Sequence, residues 1–320
     1  MIIFSGSQSK KLAEGVSAQD DLEPGVVEVR QFPDSEFYVR ILSGVRGKSC
    51  GVIQSMPDPN NNLVEMLLIL DGLRDCGAKN ITAVVPYLAY ARQDKPTKFT
   101  REPTTARLMA DLTIAAGIDR LIVWDPHSGQ IRGFYGAMPV NMLESLTLFI
   151  REFERFQNRE DVIAVAPDAG ASKFVTHFGR ALGLNCAIAS KYRPRPEQVV
   201  ISEIIGDFEG KRIAVILDDM ISSGGTIDAL IRKLVDEKGI EEVHVGVSHN
   251  LCVGRACERL LPLHSDYGLK ELVVTNSVPQ TDQFVSLSFV SVRCLSEFLV
   301  QTINRIHHDR SVSEVFYRPG

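Results

Sequence analysis

The clearest indication of the fold is the stretch 213-IAVILDDMISSGGTIDALIRKL-234. It opens with five apolar residues, which predict a strand buried on both faces, Ile213–Leu217. Two carboxylates, Asp218 and Asp219, follow, and small residues then lead into a segment with helical spacing. Because ligands of α/β proteins bind at the carboxyl ends of such strands, the stretch predicts a strand–turn–helix unit with a binding site at its turn.

The turn carries the chemistry of a sugar-phosphate site. Two adjacent carboxylates can accept hydrogen bonds from a vicinal diol such as that of a ribose ring. Glycines let backbone N–H groups approach a phosphate closely, and the start of a helix adds positive potential there. The residues predicted to hold the phosphate are Ser222, Ser223, Gly224, Gly225 and Thr226. No GK[ST] follows the glycines, so the turn is not a Walker loop.

Apolar runs alternate with helical patterns along the rest of the chain. We predict further strands at Val26–Phe32, Cys50–Gln54, Ile81–Pro86, Leu121–Trp124, Val162–Ala166, Val243–Val247 and Glu271–Thr275. We predict helices at Asn62–Cys76, Thr104–Ala116, Ser145–Gln157, Ser172–Leu182, Thr226–Glu237 and Val292–His308. Glycines that can cap helices at their C-termini follow four of these segments, at Gly77, Gly117, Gly183 and Gly239. The alternation indicates an α/β fold with mostly parallel sheets.

The series of strands and helices occurs twice, in residues 49–125 and again in residues 162–247. A chain of 320 residues is long enough for two domains. We therefore predict one domain over residues 1–144 and a second over residues 145–320. The sequence leaves open which of the two halves the C-terminal helix, residues 292–308, packs on.

Composition excludes several classes of protein. Apolar residues make up 44% of the chain and charged residues 23%, values typical of a globular protein and not of disorder or a coiled coil. A net charge of −5 argues against nucleic acid as the main partner, and no apolar run is long enough to span a membrane. The six cysteines form no CxxC pair, and no signal peptide opens the chain. Free thiols in the cytoplasm are the resulting expectation.

Five further motifs narrow the class. They are PYLAYARQDK (86–95), REPTTARLMADL (101–112), DPHSGQIRGFY (125–135), APDAGASK (166–173) and SKYRP (190–194). Residues 213–234 look like the phosphoribosyl-diphosphate-binding loop of type I phosphoribosyltransferases. Together with the five motifs, and in this order, they resemble the ribose-phosphate diphosphokinase family over nearly the whole chain. The resemblance implies an α/β fold of two tandem phosphoribosyltransferase-like domains, each with a mostly parallel sheet flanked by helices.

The resemblance also implies an activity. Members of the family transfer the diphosphoryl group of ATP to the 1-hydroxyl of ribose 5-phosphate, which gives 5-phosphoribosyl 1-diphosphate and AMP, and they require Mg²⁺. Lys191 and Arg193 match a catalytic basic pair on a mobile loop, where they would stabilise charge growing on the phosphoryl oxygens. His127 and Asp168 match residues that contact Mg²⁺ directly or through water. Asp218 and Asp219, with the small-residue turn, match the ribose 5-phosphate site.

A third group of residues matches the family's ATP site. Its members in this chain are Phe32, Asp34, Glu36, Arg92, Gln93 and His127. The first three match a segment that reaches ATP from a neighbouring subunit. The resemblance therefore implies a homo-oligomer of dimer units with active sites shared between subunits, and leaves open whether it is a tetramer or a hexamer.

The chain departs from the family at several places, and other readings remain open. Ser222 stands where the commonest family loop has a third acid. Asn141 also replaces a family acid, and the connection 134-FYGAM-138 is one residue longer than in common members. These last two positions lie near surfaces that regulated members use for phosphate and ADP, so we do not infer the family's usual allosteric inhibition. Ser222 keeps open diphosphoryl transfer to another ribose-phosphate acceptor. A base phosphoribosyltransferase would share the loop but would not need the RQD and DPH motifs. A non-catalytic regulatory homologue would be expected to lack the basic pair or the sugar acids, whereas this chain has both.

Overall fold

The computed structural model describes residues 1–18, 21–195 and 198–313, with side chains throughout except at residues 193–195 and 198. Within it the chain folds into two compact units. The first contains Met1–Glu144, the short segment Ser277–Pro279 and the C-terminal helix, and the second contains Ser145–Asn276 and Gln280–Arg293. The C-terminal helix, for which the sequence left both halves open, thus belongs to the first unit.

The first unit is built on a six-stranded parallel sheet of order β2-β1-β5-β6-β7-β8. The strands of this sheet are β1 Ile2–Ser5, β2 Glu23–Pro24, β5 Ser49–Ile53, β6 Asn80–Val85, β7 Arg120–Trp124 and β8 Val140–Leu143. Strands β3 Val27–Gln31 and β4 Phe37–Ile41 form a separate antiparallel hairpin. Its helices before the second unit are α1 Lys10–Ser17, α2 Pro59–Asp75, α3 Thr105–Ala115 and α4 Ile131–Phe134.

The second unit is built on a seven-stranded sheet of order β11-β10-β9-β12-β13-β14-β15, in which only β10 and β11 pair antiparallel. Its strands are β9 Val162–Ala166, β10 Asn185–Arg195, β11 Gln198–Ile205, β12 Ile213–Ile221, β13 Glu242–Asn250, β14 Leu269–Thr275 and β15 Val290–Arg293. Its helices are α5 Leu146–Glu152, a 3₁₀ turn Glu154–Phe156, α6 Ser172–Leu182, α7 Gly225–Lys238, α8 Ala256–Asp266 and α9 Asp282–Val285. The predicted α/β class with mostly parallel sheets is confirmed.

The last helix, α10 (Ser296–His307), packs on α1 in the first unit. The rings of Phe298 on α10 and Trp124 at the end of β7 lie 5.5 Å apart, and both side chains are buried. The helix was predicted to begin at Val292, but residues up to Arg293 pair with β14 as strand β15. Pairing with a sheet edge satisfies their backbone groups as well as a helical turn would.

The predicted helix Ser145–Gln157 is wrong as a continuous element. Helix α5 ends at Glu152, and a 3₁₀ turn follows. The side chains of Phe153 and Phe156 are both buried, and their rings lie 6.3 Å apart. Residues three apart lie on the same side of a 3₁₀ turn, so the tighter winding buries both rings.

Strand β12 is longer than predicted, and this changes where the acids lie. Its pairing with β9 ends at Ile216↔Val165, but its pairing with β13 continues to Ile221↔Asn250. Asp218 and Asp219 are therefore strand residues and not the first residues of a turn. They pass beyond the end of β9, so one flank of the strand is open to other groups at their level.

The basic pair also lies in a strand and not, as expected, in a loop. Lys191 and Arg193 are part of β10, which pairs with β11 with register shifts between Ser190 and Lys191 and between Tyr192 and Arg195. The second shift spans Pro194, which has no N–H to donate to the sheet and is tolerated at such an irregularity. Pro196 lies outside the described residues.

Candidate active site

Three acids and a lysine meet at the carboxyl edge of the second sheet. Asp168 lies two residues beyond β9, Asp218 and Asp219 lie in the adjacent strand β12, and Lys191 lies in β10 on the other side of β9. The Nζ atom of Lys191 forms an ion pair with Oδ2 of Asp168. Motifs that are separate in the sequence are thus brought together because neighbouring parallel strands end at one edge.

Asp168 is held in its charged form. Its burial opposes ionisation, but the hydrogen bond and charge of Lys191, with the backbone N–H groups of Ala171 and Gly170, outweigh it and lower the pKa of Asp168 below its ordinary value. Oδ1 accepts the N–H of Ala171 at 3.0 Å. The ammonium and the carboxylate therefore form a fixed, charged pair before any ligand arrives.

The environment of Asp218 is the opposite. Its side chain is buried, and desolvation, followed by the charge and hydrogen bonding of Asp219, raises its pKa well above the ordinary value, while Lys191 acts in the other direction. The backbone N–H of Asp219 donates to Oδ1 of Asp218 at 2.9 Å. Two carboxylates that cannot easily carry two charges favour a ligand that brings hydrogen-bond donors or positive charge.

The turn after β12 leads directly into a helix N-terminus. Gly224 adopts a left-handed conformation (φ +77°) as the N-cap of α7, and the first helical hydrogen bond runs from the N–H of Asp228 to the carbonyl of Gly224 at 2.9 Å. Helices leave the N–H groups before that bond for other partners, including anions. Residues Ser222–Thr226 thus form a turn suited to a phosphate.

Helix α8 and the segment before it hold the back of this turn. The carbonyl of Ser222 accepts the N–H of Val253 at 3.1 Å. Nη1 of Arg259 donates to the carbonyl of Ser223 at 2.9 Å and lies 3.4 Å from its hydroxyl. Sequence reasoning missed Arg259; its only sequence signal is that it follows β13, the neighbour of β12 in the sheet.

In the first unit, three predicted ATP residues lie in one hairpin turn. Phe32, Asp34 and Glu36 connect β3 to β4, and all three are exposed. The ring of Phe32 meets that of Tyr38 edge-on at 6.0 Å, and the Arg30 guanidinium lies over both rings. The turn therefore presents an aromatic side chain and two acids on the surface of this unit.

The other predicted ATP residues lie in two loops of the first unit. Arg92 and Gln93 follow β6 and are exposed, and Oε1 of Gln93 accepts the hydroxyl of Thr105 at 2.6 Å. His127 is an exposed residue of the loop after β7. Its predicted partner in metal binding, Asp168, belongs to the second unit.

Among the described residues, no group of three or more His, Cys, Asp and Glu side chains is arranged to hold a metal ion. No helix in residues 1–18, 21–195 or 198–313 is long and apolar enough to cross a membrane.

Acids, an ion-paired lysine and a glycine turn at the carboxyl edge of a mostly parallel sheet are typical of an α/β protein of the phosphoribosyltransferase-like class. Comparisons with known proteins narrow this class. Residues 1–117 match the N-terminal domain of ribose phosphate pyrophosphokinase, and residues 161–317 match the phosphoribosyl synthetase-associated domain.

Individual relatives cover nearly the whole chain. The ribose-phosphate pyrophosphokinase of Fusobacterium nucleatum is 36% identical and that of Rhodopirellula baltica 37% identical, with 98% of this chain and 97% and 98% of the relatives covered. The crystal structure of phosphoribosylpyrophosphate synthetase from Mycobacterium smegmatis aligns with a TM-score of 0.85 and 32% identity, over 96% of this chain and 99% of that one. The chain belongs to the ribose-phosphate pyrophosphokinase family of enzymes, which confirms the resemblance drawn from the ordered motifs.

Proposed function

We propose that this enzyme transfers the β,γ-diphosphoryl group of Mg·ATP to the 1-hydroxyl of ribose 5-phosphate, giving 5-phosphoribosyl 1-diphosphate and AMP. The observation that supports this most is the cluster on the second sheet. There the ion pair of Lys191 and Asp168 lies beside Asp218, and the glycine turn follows on the same strand. A sugar hydroxyl, a phosphate and a charged phosphoryl group each find a matching partner within this cluster.

In the proposed mode, the ribose lies over Asp218 and Asp219. Its hydroxyls donate to oxygens of these two side chains, whose crowding favours a ligand that brings hydrogen-bond donors. The 5-phosphate is then held by the turn Ser222–Thr226 and the first N–H groups of α7. Held at both ends, the sugar presents its 1-hydroxyl for attack on the β-phosphorus, and AMP leaves from the opposite side.

Lys191 and Arg193 are proposed to stabilise the charge that develops during transfer. Lys191 needs no change of charge for this role, only a change of partner, because its ammonium is already fixed at the cluster by Asp168. Fixed positive charge aimed at a developing anion is the main way in which proteins accelerate phosphoryl transfer. No general base is required at the attacking hydroxyl in this scheme.

Phe32, Asp34, Glu36, Arg92, Gln93 and His127 are proposed to bind ATP. The exposed ring of Phe32 offers a stacking surface for adenine, while Arg92 offers charge for the phosphates. We further propose that the hairpin turn serves a neighbouring copy of the chain. The enzyme would then be a homo-oligomer of dimer units with shared active sites.

Magnesium is the proposed metal, and the residues fit it in part. The charged oxygen ligand that Mg²⁺ prefers is present in Asp168, whose pKa is lowered. His127 would contact the ion through water, since imidazole is an uncommon direct ligand of Mg²⁺. When bound, Mg²⁺ neutralises phosphate charge, and most of its ligands would come from ATP. The cytoplasm is the proposed location, in keeping with six free cysteines.

Phosphorus NMR tests the proposal directly. The purified chain is incubated with ATP, Mg²⁺ and ribose 5-phosphate over a range of inorganic phosphate concentrations. AMP and a sugar 1-diphosphate resonance are expected in equal amounts, and chelation of Mg²⁺ should abolish both. Parallel reactions with ADP-ribose and other ribose phosphates test the alternative acceptors. Formation of no AMP with any acceptor would contradict the proposal and favour a regulatory role.

A further inference from the structure

We propose that Arg259 is a positioning residue for the 5-phosphate of the sugar substrate, an inference that rests on the proposed function. Arg259 lies in the first turns of α8, and its Nη1 donates to the carbonyl of Ser223 at 2.9 Å. It therefore reaches the phosphate turn from a different element of the second unit. None of the sequence motifs contains it.

Among the residues that the structure describes, no acid forms an ion pair with Arg259. Two nearby arginines are paired: Arg255 with Glu258 at 2.6 Å and Arg232 with Asp228 at 2.8 Å. In the part of the chain that the structure describes, no carboxylate lies within ion-pair distance of Arg259. The guanidinium instead contacts two oxygens of Ser223, the backbone carbonyl and the hydroxyl. A guanidinium has five N–H donors, so Arg259 can bind Ser223 and at the same time bring a positive charge to the turn.

The backbone of the turn is shaped by the same contact. Val253 and Arg259 bind the carbonyls of Ser222 and Ser223, two successive residues. Carbonyl oxygens repel a phosphate. Because Val253 and Arg259 bind these two carbonyls, the carbonyls are held away from the place where the N–H groups of the turn would bind a phosphate. The turn can then present those N–H groups as the concave, anion-binding arrangement known from other phosphate loops.

Gly225 provides the space that Arg259 occupies. A Cβ atom added at Gly225 would lie 3.1 Å from Nη1 of Arg259, tighter than ordinary van der Waals contact. Within the turn only Gly224 has a positive φ, so at Gly225 the close neighbour is the guanidinium and not a strained backbone. Arginine and glycine form one unit of the subsite.

The test compares Arg259→Gln and Arg259→Lys with a matched control, Arg255→Gln, one helical turn earlier. Loss of a charged hydrogen bond of this kind predicts a rise of about 10- to 100-fold in the KM for ribose 5-phosphate in Arg259→Gln. The KM for ATP should change less than about twofold. Arg259→Lys should recover part of the loss, and Arg255→Gln should behave as wild type. Gly225→Ala, whose added methyl requires the guanidinium to shift by a few tenths of an ångström, keeps the charge of Arg259 and should raise the same KM by a smaller factor.

Calorimetric titration with ribose 5-phosphate in the absence of ATP provides a second readout that does not require turnover. Wild type and Arg255→Gln should bind alike, and Arg259→Gln should bind at least tenfold more weakly. Equal affinities, or a parallel rise in both KM values, would overturn the inference while leaving the proposed reaction intact. If wild type forms no AMP, the proposed function fails, and the titration alone decides the role of Arg259. A variant that does not fold is replaced by Arg259→Lys and Gly225→Ala.

Discussion

Lys191 in β10 forms an ion pair with Asp168, which lies two residues beyond the end of the neighbouring strand β9. The pair links two segments of the second unit and places a fixed positive charge beside Asp218. In the proposed reaction, an incoming phosphoryl group would compete with Asp168 for this lysine. The cluster holds opposite charges in contact, and a bound phosphate and Mg²⁺, if the proposal is right, would change which groups they pair with.

The first prediction concerns the effect of the buried Asp218 carboxylate on the free energy of unfolding. Asp218→Asn should raise the stability of the ligand-free, metal-free protein by about 1–3 kcal/mol at pH 7, because it removes a desolvated carboxylate beside another. The folded-state pKa of Asp218 is raised, so its destabilising effect is absent below the unfolded pKa and grows as the pH rises toward the folded value. Urea unfolding at pH 4 and pH 7 measures this difference.

The same variant should lose affinity for ribose 5-phosphate, since an amide accepts fewer hydrogen bonds from the sugar than a carboxylate. The control is Asp236→Asn, a residue near the end of α7 with no predicted role. A variant that is less stable at pH 7, or that binds the sugar like wild type, would contradict the account of Asp218.

The second prediction concerns a charged cluster away from the site. Oε2 of Glu271 lies 3.2 Å from Nδ1 of His244 and is ion-paired with Arg155. The hydrogen bond of His244, then that of Arg155, lowers the pKa of Glu271 despite its partial burial. This stabilisation is present above the unfolded pKa of a glutamate and is lost as the pH falls through the folded value.

Glu271→Gln should therefore lower the free energy of unfolding by about 1 kcal/mol at pH 7, a figure reduced for the partial exposure of Arg155. At a pH below the folded value the difference from wild type should vanish. Glu258→Gln removes the exposed partner of Arg255 and should have little effect. Equal losses for Glu271→Gln at both pH values would show that packing, and not charge, is responsible.

A third prediction follows from the packing beneath β13. A Cβ atom at Gly246 would lie 2.7 Å from Cδ2 of Leu217 and 2.9 Å from Cδ1 of Phe149. Gly246→Ala should lower the unfolding free energy by about 1–3 kcal/mol, because a buried core cannot absorb the extra methyl without moving these groups. Thermal unfolding measures the effect, and Gly44→Ala, where the added atom meets nothing within 4 Å, is the control. Equal stability of the two variants would contradict this prediction, because it would show that the core accommodates the added methyl group at residue 246.

The fourth prediction concerns thiol reactivity. Burial and the nearby Cys257 raise the pKa of Cys252 to about 12, and burial raises that of Cys50 to about 11. Because the thiolate is the reactive form, both should be alkylated by iodoacetamide at pH 8 much more slowly than the exposed Cys76 and Cys294. Peptide mass spectrometry over time measures the rates, and in urea they should converge. Modification of Cys252 as fast as Cys76 in the folded protein would contradict the prediction.

Much of the site could be predicted because it depends on short segments at strand ends. Asp168 follows the apolar strand β9, Asp218 follows the apolar part of β12, and parallel pairing brings such positions to one edge. The bounds of β9 and α6 were predicted without error for the same reason, since both are clear local patterns. The family resemblance added roles to residues that local pattern alone could not distinguish from ordinary turns.

The features that were missed depend on contacts between distant segments. Arg259 acts on Ser223, 36 residues away, and only the packing of α8 brings them together. The continuation of β12 beyond Leu217 depends on pairing with β13, and the break after α5 depends on buried phenylalanine rings. Such tertiary effects override local propensity and leave little trace in a single sequence.

In the proposed mechanism, Lys191 acts on the phosphoryl group during transfer. The most direct measurement is the kcat of Lys191→Ala, taken with its ATP affinity by equilibrium binding and with Lys211→Ala, a lysine that precedes β12, as the control. If Lys191 stabilises the charge of the transferred group, kcat should fall by about a hundredfold or more, ATP affinity should change less than about threefold, and the control should be unchanged. A kcat near that of wild type, or a loss explained wholly by weaker ATP binding, would contradict it.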